Sequence, residues 1–401
     1  MSIRQLVVSI ISPKQKQCIQ SVLLNMKRYL RFKSRIQTTL EWTSLGEHNK
    51  HSFFGYYDVS PFNAKGEILF LLLGKNLSVA DIVLYNRNTR ESHTLAQTNA
   101  WNWQQGCRLR WLPKSDDCII FNDYKNGRYL SRMMNIRTHE EKNLNYPLYD
   151  IDNSGKYGLS LDFERLGVKR PGYGYTCMPY NEPSDLGGLG IDLVDLGNNT
   201  SKRIVTYNTI AHVIGQASRD FRYNYINHLS FSPSGKKFMF FWLTIVGNYH
   251  KAYMLVYDFK SETIIPLETE GKVSHYLWLD EEHLLCTVYD ATDECRYIIY
   301  GLDGSKRHVF KSIDYDGHPI WYKEGLILTD SYPDKDGYQR LMVCNLNTDS
   351  AQQIAEIFQE PAISIERRTD LHPRYDMTTD TICIDASPKG KRKLLLITQK
   401  K

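Results

Sequence analysis

Asn227-His228-Leu229-Ser230-Phe231-Ser232-Pro233-Ser234-Gly235-Lys236, followed by the apolar runs Lys237–Leu243 and Tyr253–Phe259, is the stretch that decides the fold. Ser-Pro-Ser-Gly-Lys is turn chemistry: proline pre-sets one φ angle and glycine permits a positive one. The segment therefore reads as a strand, a tight turn and two further strands. Weaker copies begin at Tyr56-Tyr57-Asp58-Val59-Ser60-Pro61, Leu109-Arg110-Trp111-Leu112-Pro113 and Tyr149-Asp150-Ile151-Asp152-Asn153-Ser154-Gly155. Later ones begin at Ser274-His275-Tyr276, Gly317-His318-Pro319 and Leu371-His372-Pro373. A spacing of roughly 40–55 residues is that of β-propeller blades. One such unit cannot bury both of its faces, so the ring has to close on itself. The sequence predicts an all-β protein, a seven-bladed β-propeller with a short N-terminal helical segment.

The ends supply the closure. After the last copy only Thr381–Asp385 and Leu394–Thr398 remain as apolar strands, and Thr38–Thr43, with Leu40 and Trp42 on one face, is placed to add the missing outer strand. Residues 37–401 are read as the propeller, closed by an N-terminal strand near 38–43, and 1–36 as a basic amphipathic helical segment. In that segment Ile19, Val22, Leu23, Met26 and Leu30 keep helical spacing among Lys14, Lys16, Lys27, Arg28, Arg31, Lys33 and Arg35. Such a helix packs against the propeller side or docks on an anionic membrane surface, which would make the protein peripheral to the inner membrane. Lys169–Asp185, rich in Gly, Tyr and Pro, reads as a loop at the mouth of the ring.

Composition narrows the function. The 401 residues carry 50 Lys+Arg against 45 Asp+Glu, and so small an excess, spread along the chain, argues against nucleic acid as a partner. No apolar run reaches the ~20 residues of a membrane span, and the N-terminus lacks a secretory cleavage site. The 8 cysteines are scattered without a CxxC pair, so reduced thiols and a cytoplasmic location are expected. The 27 Tyr against 15 Phe suit a sugar-binding surface. There is no P-loop, no G-x-S-x-G and no dinucleotide fingerprint, which disfavours ATP, esterase and hydride chemistry.

His228, His275, His318 and His372 occupy the same position at the start of four consecutive units. The innermost strands of a propeller line its central channel, so equivalent positions converge there. Asp370 and His372, two residues apart, share one face of a strand, and with His318 they could form a facial metal site suited to Mn²⁺, Fe²⁺ or Zn²⁺. Arg165, Arg170, Arg296 and Arg374 could bind the carboxylate of an acidic saccharide. Trp103, Tyr173 and Tyr175 offer stacking faces for sugar rings.

Several segments carry a resemblance to known proteins: His51-Ser52-Phe53-Phe54-Gly55-Tyr56-Tyr57-Asp58, Trp103-Gln104-Gln105-Gly106-Cys107, Arg170-Pro171-Gly172-Tyr173-Gly174-Tyr175, Ser274-His275-Tyr276, Asp316-Gly317-His318-Pro319 and Asp370-Leu371-His372-Pro373-Arg374. They resemble bacterial propeller proteins of capsule and O-antigen gene clusters, whose blades in turn resemble the oligogalacturonate lyases. The resemblance implies a carbohydrate-active enzyme of surface-polysaccharide metabolism, with an acidic oligosaccharide or polysaccharide as partner and Mn²⁺ as the divalent metal. It implies His275 as catalytic base, with His228, Arg296 and Arg374 beside it, and His318, Asp370 and His372 as metal ligands. Arg165, Arg170, Tyr173, Tyr175, Trp103 and Gln105 are then the substrate-binding set. One ligand histidine of the lyases is here Asp370, and Arg367 and Arg368 stand where their glutamine ligand would be. A lyase would work by β-elimination. A glycosyltransferase would need a nucleotide-sugar site, for which Asp150-Ile151-Asp152, Asp314-Tyr315-Asp316 and Asp334-Lys335-Asp336 are the candidates, and a non-catalytic scaffold is the third class.

Overall fold

The turn Ser232–Lys236 forms as its residues dictate. Gly235 takes φ +74° and its N–H donates to the Ser232 carbonyl. Lys237–Val246 then runs antiparallel to Asn224–Phe231 on one side and to Tyr249–Asp258 on the other, with Thr263–Pro266 outermost. The computed structural model describes residues 12–400 apart from 32, 217–219, 248, 270 and 291; residues 1–11 of the N-terminal segment lie outside the described residues. The unit repeats as seven antiparallel sheets: blades 1 to 7, over 51–98, 110–144, 150–206, 224–266, 273–310, 320–358 and 374–398. The second strand of a blade is the most apolar, because both of its faces meet neighbouring blades. Glu67–Leu73 and Thr381–Ala386 are buried at every position.

Closure uses two N-terminal strands rather than the single one expected over Thr38–Thr43. Glu41–Leu45 completes blade 7 by pairing with Lys393–Thr398, setting Leu45 opposite Leu394. Ile36–Thr38 instead adds a fifth strand to the outer edge of blade 6, opposite Ala355–Ile357. The break between them has a local cause: Thr38 Oγ1 accepts the Leu40 N–H at 3.1 Å, and the chain bends from one blade to the next.

A buried ion pair ties the last blade to the first. Arg374 donates to Asp385 at 3.0 Å and to the Gly55 carbonyl, while Asp385 also accepts the Phe54 and Gly55 N–H groups. Both side chains are essentially inaccessible. Asp385→Ala leaves a buried guanidinium without its charge partner and should cost about 3–5 kcal/mol, read as a fall in the urea midpoint.

Helix α1, Pro13–Leu30, opens with a capping box in which Ser12 and Gln15 satisfy each other's backbone. It rests on the loop after blade 6: Gln17 donates to the Pro361 carbonyl at 2.8 Å, and Ser21 and Asn25 donate to Glu360 at 2.5 and 3.0 Å. Helix α2 (Phe163–Lys169) packs against the inner strand of blade 4, and α3 (Tyr207–Val213) lies by the outer strands of blades 3 and 4. Among the described residues no helix is long and apolar enough to cross a membrane.

Candidate active site

The inner strands break their pleat where the histidines stand. Register shifts fall between Asn227 and Ser230 in blade 4 and between Val273 and His275 in blade 5. His228 and His372 take left-handed backbone, with φ of +57° and +44°, as does Arg108 at the matching place in blade 2. Non-glycine residues there cost about 1–3 kcal/mol each and persist only where the surroundings enforce them. The result is convergence on the axis. The His275 and His318 rings lie 4.0 Å apart and those of His318 and His372 4.4 Å, with the Tyr56 ring 4.8 Å from His372 and 5.0 Å from His228.

One side of this cluster is plugged. Tyr57 donates to the Tyr276 carbonyl at 2.9 Å, and Arg108 forms a two-pronged pair with Asp58, both contacts at 3.0 Å. The other side opens into a cavity of about 800 Å³ lined by Arg170, Tyr173, His228, His275, Tyr289 and Tyr332. Of the four histidines, His228 and His275 line that cavity.

Hydrogen bonds fix how each ring presents itself. His318 Nδ1 lies 2.8 Å from Asp330 and His372 Nδ1 2.9 Å from the Gly55 carbonyl. A carboxylate or carbonyl only accepts, so Nδ1 carries the proton in both neutral rings and each Nε2 then has a free lone pair. Asp330 fastens the pair by also accepting the His318 and His372 backbone N–H groups. Both Nε2 atoms are buried without a partner. Leaving them so costs about 1–3 kcal/mol apiece. His318, His372 and Asp370, whose carboxylate is held by Arg368 Nε at 2.9 Å, each offer one donor atom, and these atoms lie within 4.8 Å of one another. Two bare imidazole nitrogens and a carboxylate, oriented from behind, fit a divalent cation of the Mn, Fe or Zn kind.

His275 is held differently. Its Nδ1–H donates to Asp316 at 2.8 Å, and Asp316 also accepts from Ser274, Thr287 and Tyr289. Burial works against the Asp316 charge, but His275, Ser274 and His318 outweigh it and bring the carboxyl down to about 2. Burial, then the neighbouring His318, lowers the His275 pKa against the pull of Asp316. Burial likewise drives His228 and His372 well below the usual imidazole range. His318 alone is raised: burial opposes its charge, and Asp330 overrides it.

The other expected site residues divide. Arg170 and Tyr173 line the mouth, the guanidinium 5.2 Å from the Tyr173 ring. Gln105 lies deeper, donating to Tyr149 at 2.6 Å, with its carbonyl oxygen buried and unpartnered. Arg296 faces an adjoining cavity of about 920 Å³ and is paired with Glu294. Arg374 is committed to Asp385, as described above, and Arg165 to the carbonyls of Phe221 and Asn224 and to Glu182. Tyr175 is in the core, stacked on Phe163 and accepting from Asn122. Trp103 belongs to a separate rim cavity of about 650 Å³, beside Trp101. The Asp-x-Asp pairs do not converge: Asp150 pairs with Arg110, Asp152 and Asp334 close turns, Asp316 holds His275, and Asp336 pairs with helix α1.

Residues outside the expected catalytic, substrate-binding and metal sets complete the site. Tyr56 has a buried hydroxyl without a partner, and burial raises its pKa well above the usual phenol range. Arg368 bridges Asp370 and the mouth, reaching the Tyr173 and Tyr332 hydroxyls at 3.4 Å. Asp316 and Asp330 are the orienting carboxylates. Asp316 lies 41 residues from the His275 it holds and Asp330 12 from His318, so local spacing marks neither of them, nor Tyr56.

Comparison with known proteins rests on structure. No known family and no curated protein matches the sequence. An oligogalacturonate lyase in complex with manganese superposes with a TM-score of 0.68 at 16% identity, covering 91% of this chain and 94% of that one. The oligogalacturonate lyase of Vibrio parahaemolyticus gives 0.65 at 13% identity, covering 90% and 96%. The β-propeller domain of the trilobed protease of Pyrococcus furiosus gives 0.50 at 9%, covering 89% and 95%. At such identities the likeness establishes the seven-bladed propeller fold.

Proposed function

We propose that the protein is a metal-assisted lyase that cleaves an acidic, uronate-containing saccharide of a bacterial surface polysaccharide by β-elimination. The observation that carries this reading is the juxtaposition of His275, held by Asp316, with the bare Nε2 atoms of His318 and His372 beside Asp370. His318, His372 and Asp370 would hold the cation, which when bound supplies electrostatic stabilisation for the charge that develops on a uronate carboxylate. The remaining chemistry belongs to the chain. His275, neutral at physiological pH, takes the C5 proton on Nε2, because Nδ1 keeps its own proton toward Asp316. The electrons of that C–H bond become the C4–C5 double bond as the C4–O bond breaks, and the departing oxygen takes up a proton. Tyr56, whose burial keeps its phenol protonated, is a group able to supply it. Arg170 and Arg368 stand at the mouth as cations for the substrate's carboxylates, the place that the sequence reading gave to Arg296 and Arg374.

The test is a screen of acidic oligosaccharides with Mn²⁺, following the ultraviolet absorbance of an unsaturated uronate. Free uronate oligomers should react, and their methyl esters and neutral analogues should not. Equal turnover of neutral saccharides would contradict the reading. Arg368→Gln should raise KM for the acidic substrate about tenfold or more while the protein stays folded, since a charge-assisted bond is worth roughly 1.5–3 kcal/mol.

A further inference from the structure

Helix α1 is mounted inside out. The contacts that hold it come mainly from polar residues, Gln17, Ser21 and Asn25, and from the ion pairs of Lys27 and Arg31 with Asp336, with Leu24 half-buried against Gly337. Its apolar stripe lies on the opposite side: Ile19, Val22, Leu23, Met26 and Leu30 are between 49% and 68% exposed, and no residue of the helix is buried. A helix stabilised by its packing normally turns that stripe to the core. Here the propeller has polar and acidic partners for the wrong face, and the stripe is left to something else.

Charge decides what covers it. Residues 12–36 contain seven Lys and Arg and no Asp or Glu. Lys33 and Arg35 are paired with Glu356 and Glu360. Lys14 and Lys16 are exposed, with no acidic partner among the described residues, and Lys16 lies within one turn of Ile19. A second copy would press like charges together. An anionic surface satisfies both the stripe and its lysines, and a single exposed helix suits a lipid boundary better than a folded partner. We propose that α1 docks the protein on an anionic bilayer, lying in the plane of the interface with Ile19, Val22, Leu23, Met26 and Leu30 in the acyl boundary. Gln17 shares a small rim cavity with Arg367 and Trp103, so the docked helix stands beside the segment that leads into Asp370. The proposal does not depend on the lyase reading.

Sedimentation of the full chain with vesicles tests it. The protein should pellet with vesicles of phosphatidylcholine containing phosphatidylglycerol, not with phosphatidylcholine alone, and raising the salt should release it. Val22→Glu with Met26→Glu changes only exposed positions and should weaken vesicle binding roughly tenfold or more. Lys14→Glu with Lys16→Glu should do the same, both doubles keeping the wild-type melting temperature. Three results would overturn the proposal: no binding to anionic vesicles, binding indifferent to Val22 and Met26, or self-association that the Val22→Glu, Met26→Glu pair abolishes, which would give the stripe to a second copy.

Discussion

His275→Gln should lower kcat for uronate elimination by about 10²–10⁴-fold while leaving metal content and melting temperature at wild-type levels. Glutamine keeps a donor that can face Asp316 but has no basic atom to accept the C5 proton. The pH profile adds a readout that a structural role would not move. The active form of the base is neutral, so the rate falls as pH drops through the His275 pKa. Because burial and His318 hold that pKa below its usual 6.5, the acid limb of kcat/KM should lie below pH 6.5. Asp316 favours the imidazolium, so Asp316→Asn should move the limb to still lower pH while reducing kcat through loss of ring orientation. A profile unchanged by both substitutions would remove His275 from the chemistry.

His318→Ala combined with His372→Ala should abolish metal binding, measured by elemental analysis of purified protein, and bring elimination to background. The two bare Nε2 atoms are the reason: buried and unpartnered, they gain more from a cation than from any group now near them. Mn²⁺ at about one hundred times its Kd should stabilise the wild type by roughly 2.7 kcal/mol and the double variant not at all. Metal that stays with the double variant would place the cation elsewhere.

The seven blades were legible because their signals are local and repeated. A Ser-Pro-Ser-Gly turn and an apolar second strand mean the same thing each time they occur, and the recurrence of His at one position of the repeat carried the channel cluster with it. What failed to show was what depends on direction. Arg374 and Arg368 flank His372 and Asp370 about equally in sequence, yet Arg374 turns into the buried Asp385 and Arg368 onto Asp370 at the mouth. Arg165 and Tyr175 look like site residues beside and within a loop rich in Gly and Tyr, but Arg165, on helix α2, turns to the Phe221 and Asn224 carbonyls, and Tyr175 stacks on Phe163 in the core. Helical spacing revealed a stripe on α1 but not which face the propeller holds. Thr38 split one expected strand into two through a single side-chain hydrogen bond.

The central claim is elimination, and mass balance tests it most directly. Metal-loaded protein and an acidic oligosaccharide are incubated in oxygen-18-enriched water, and the products are weighed by mass spectrometry. Elimination adds no water: the fragment masses should sum to that of the substrate, one fragment should carry an unsaturated uronate, and neither should contain the heavy oxygen. Fragments that gain a labelled water would make the enzyme a hydrolase, and an uncleaved substrate that acquires a sugar only when a nucleotide sugar is present would make it a transferase; either result contradicts the account.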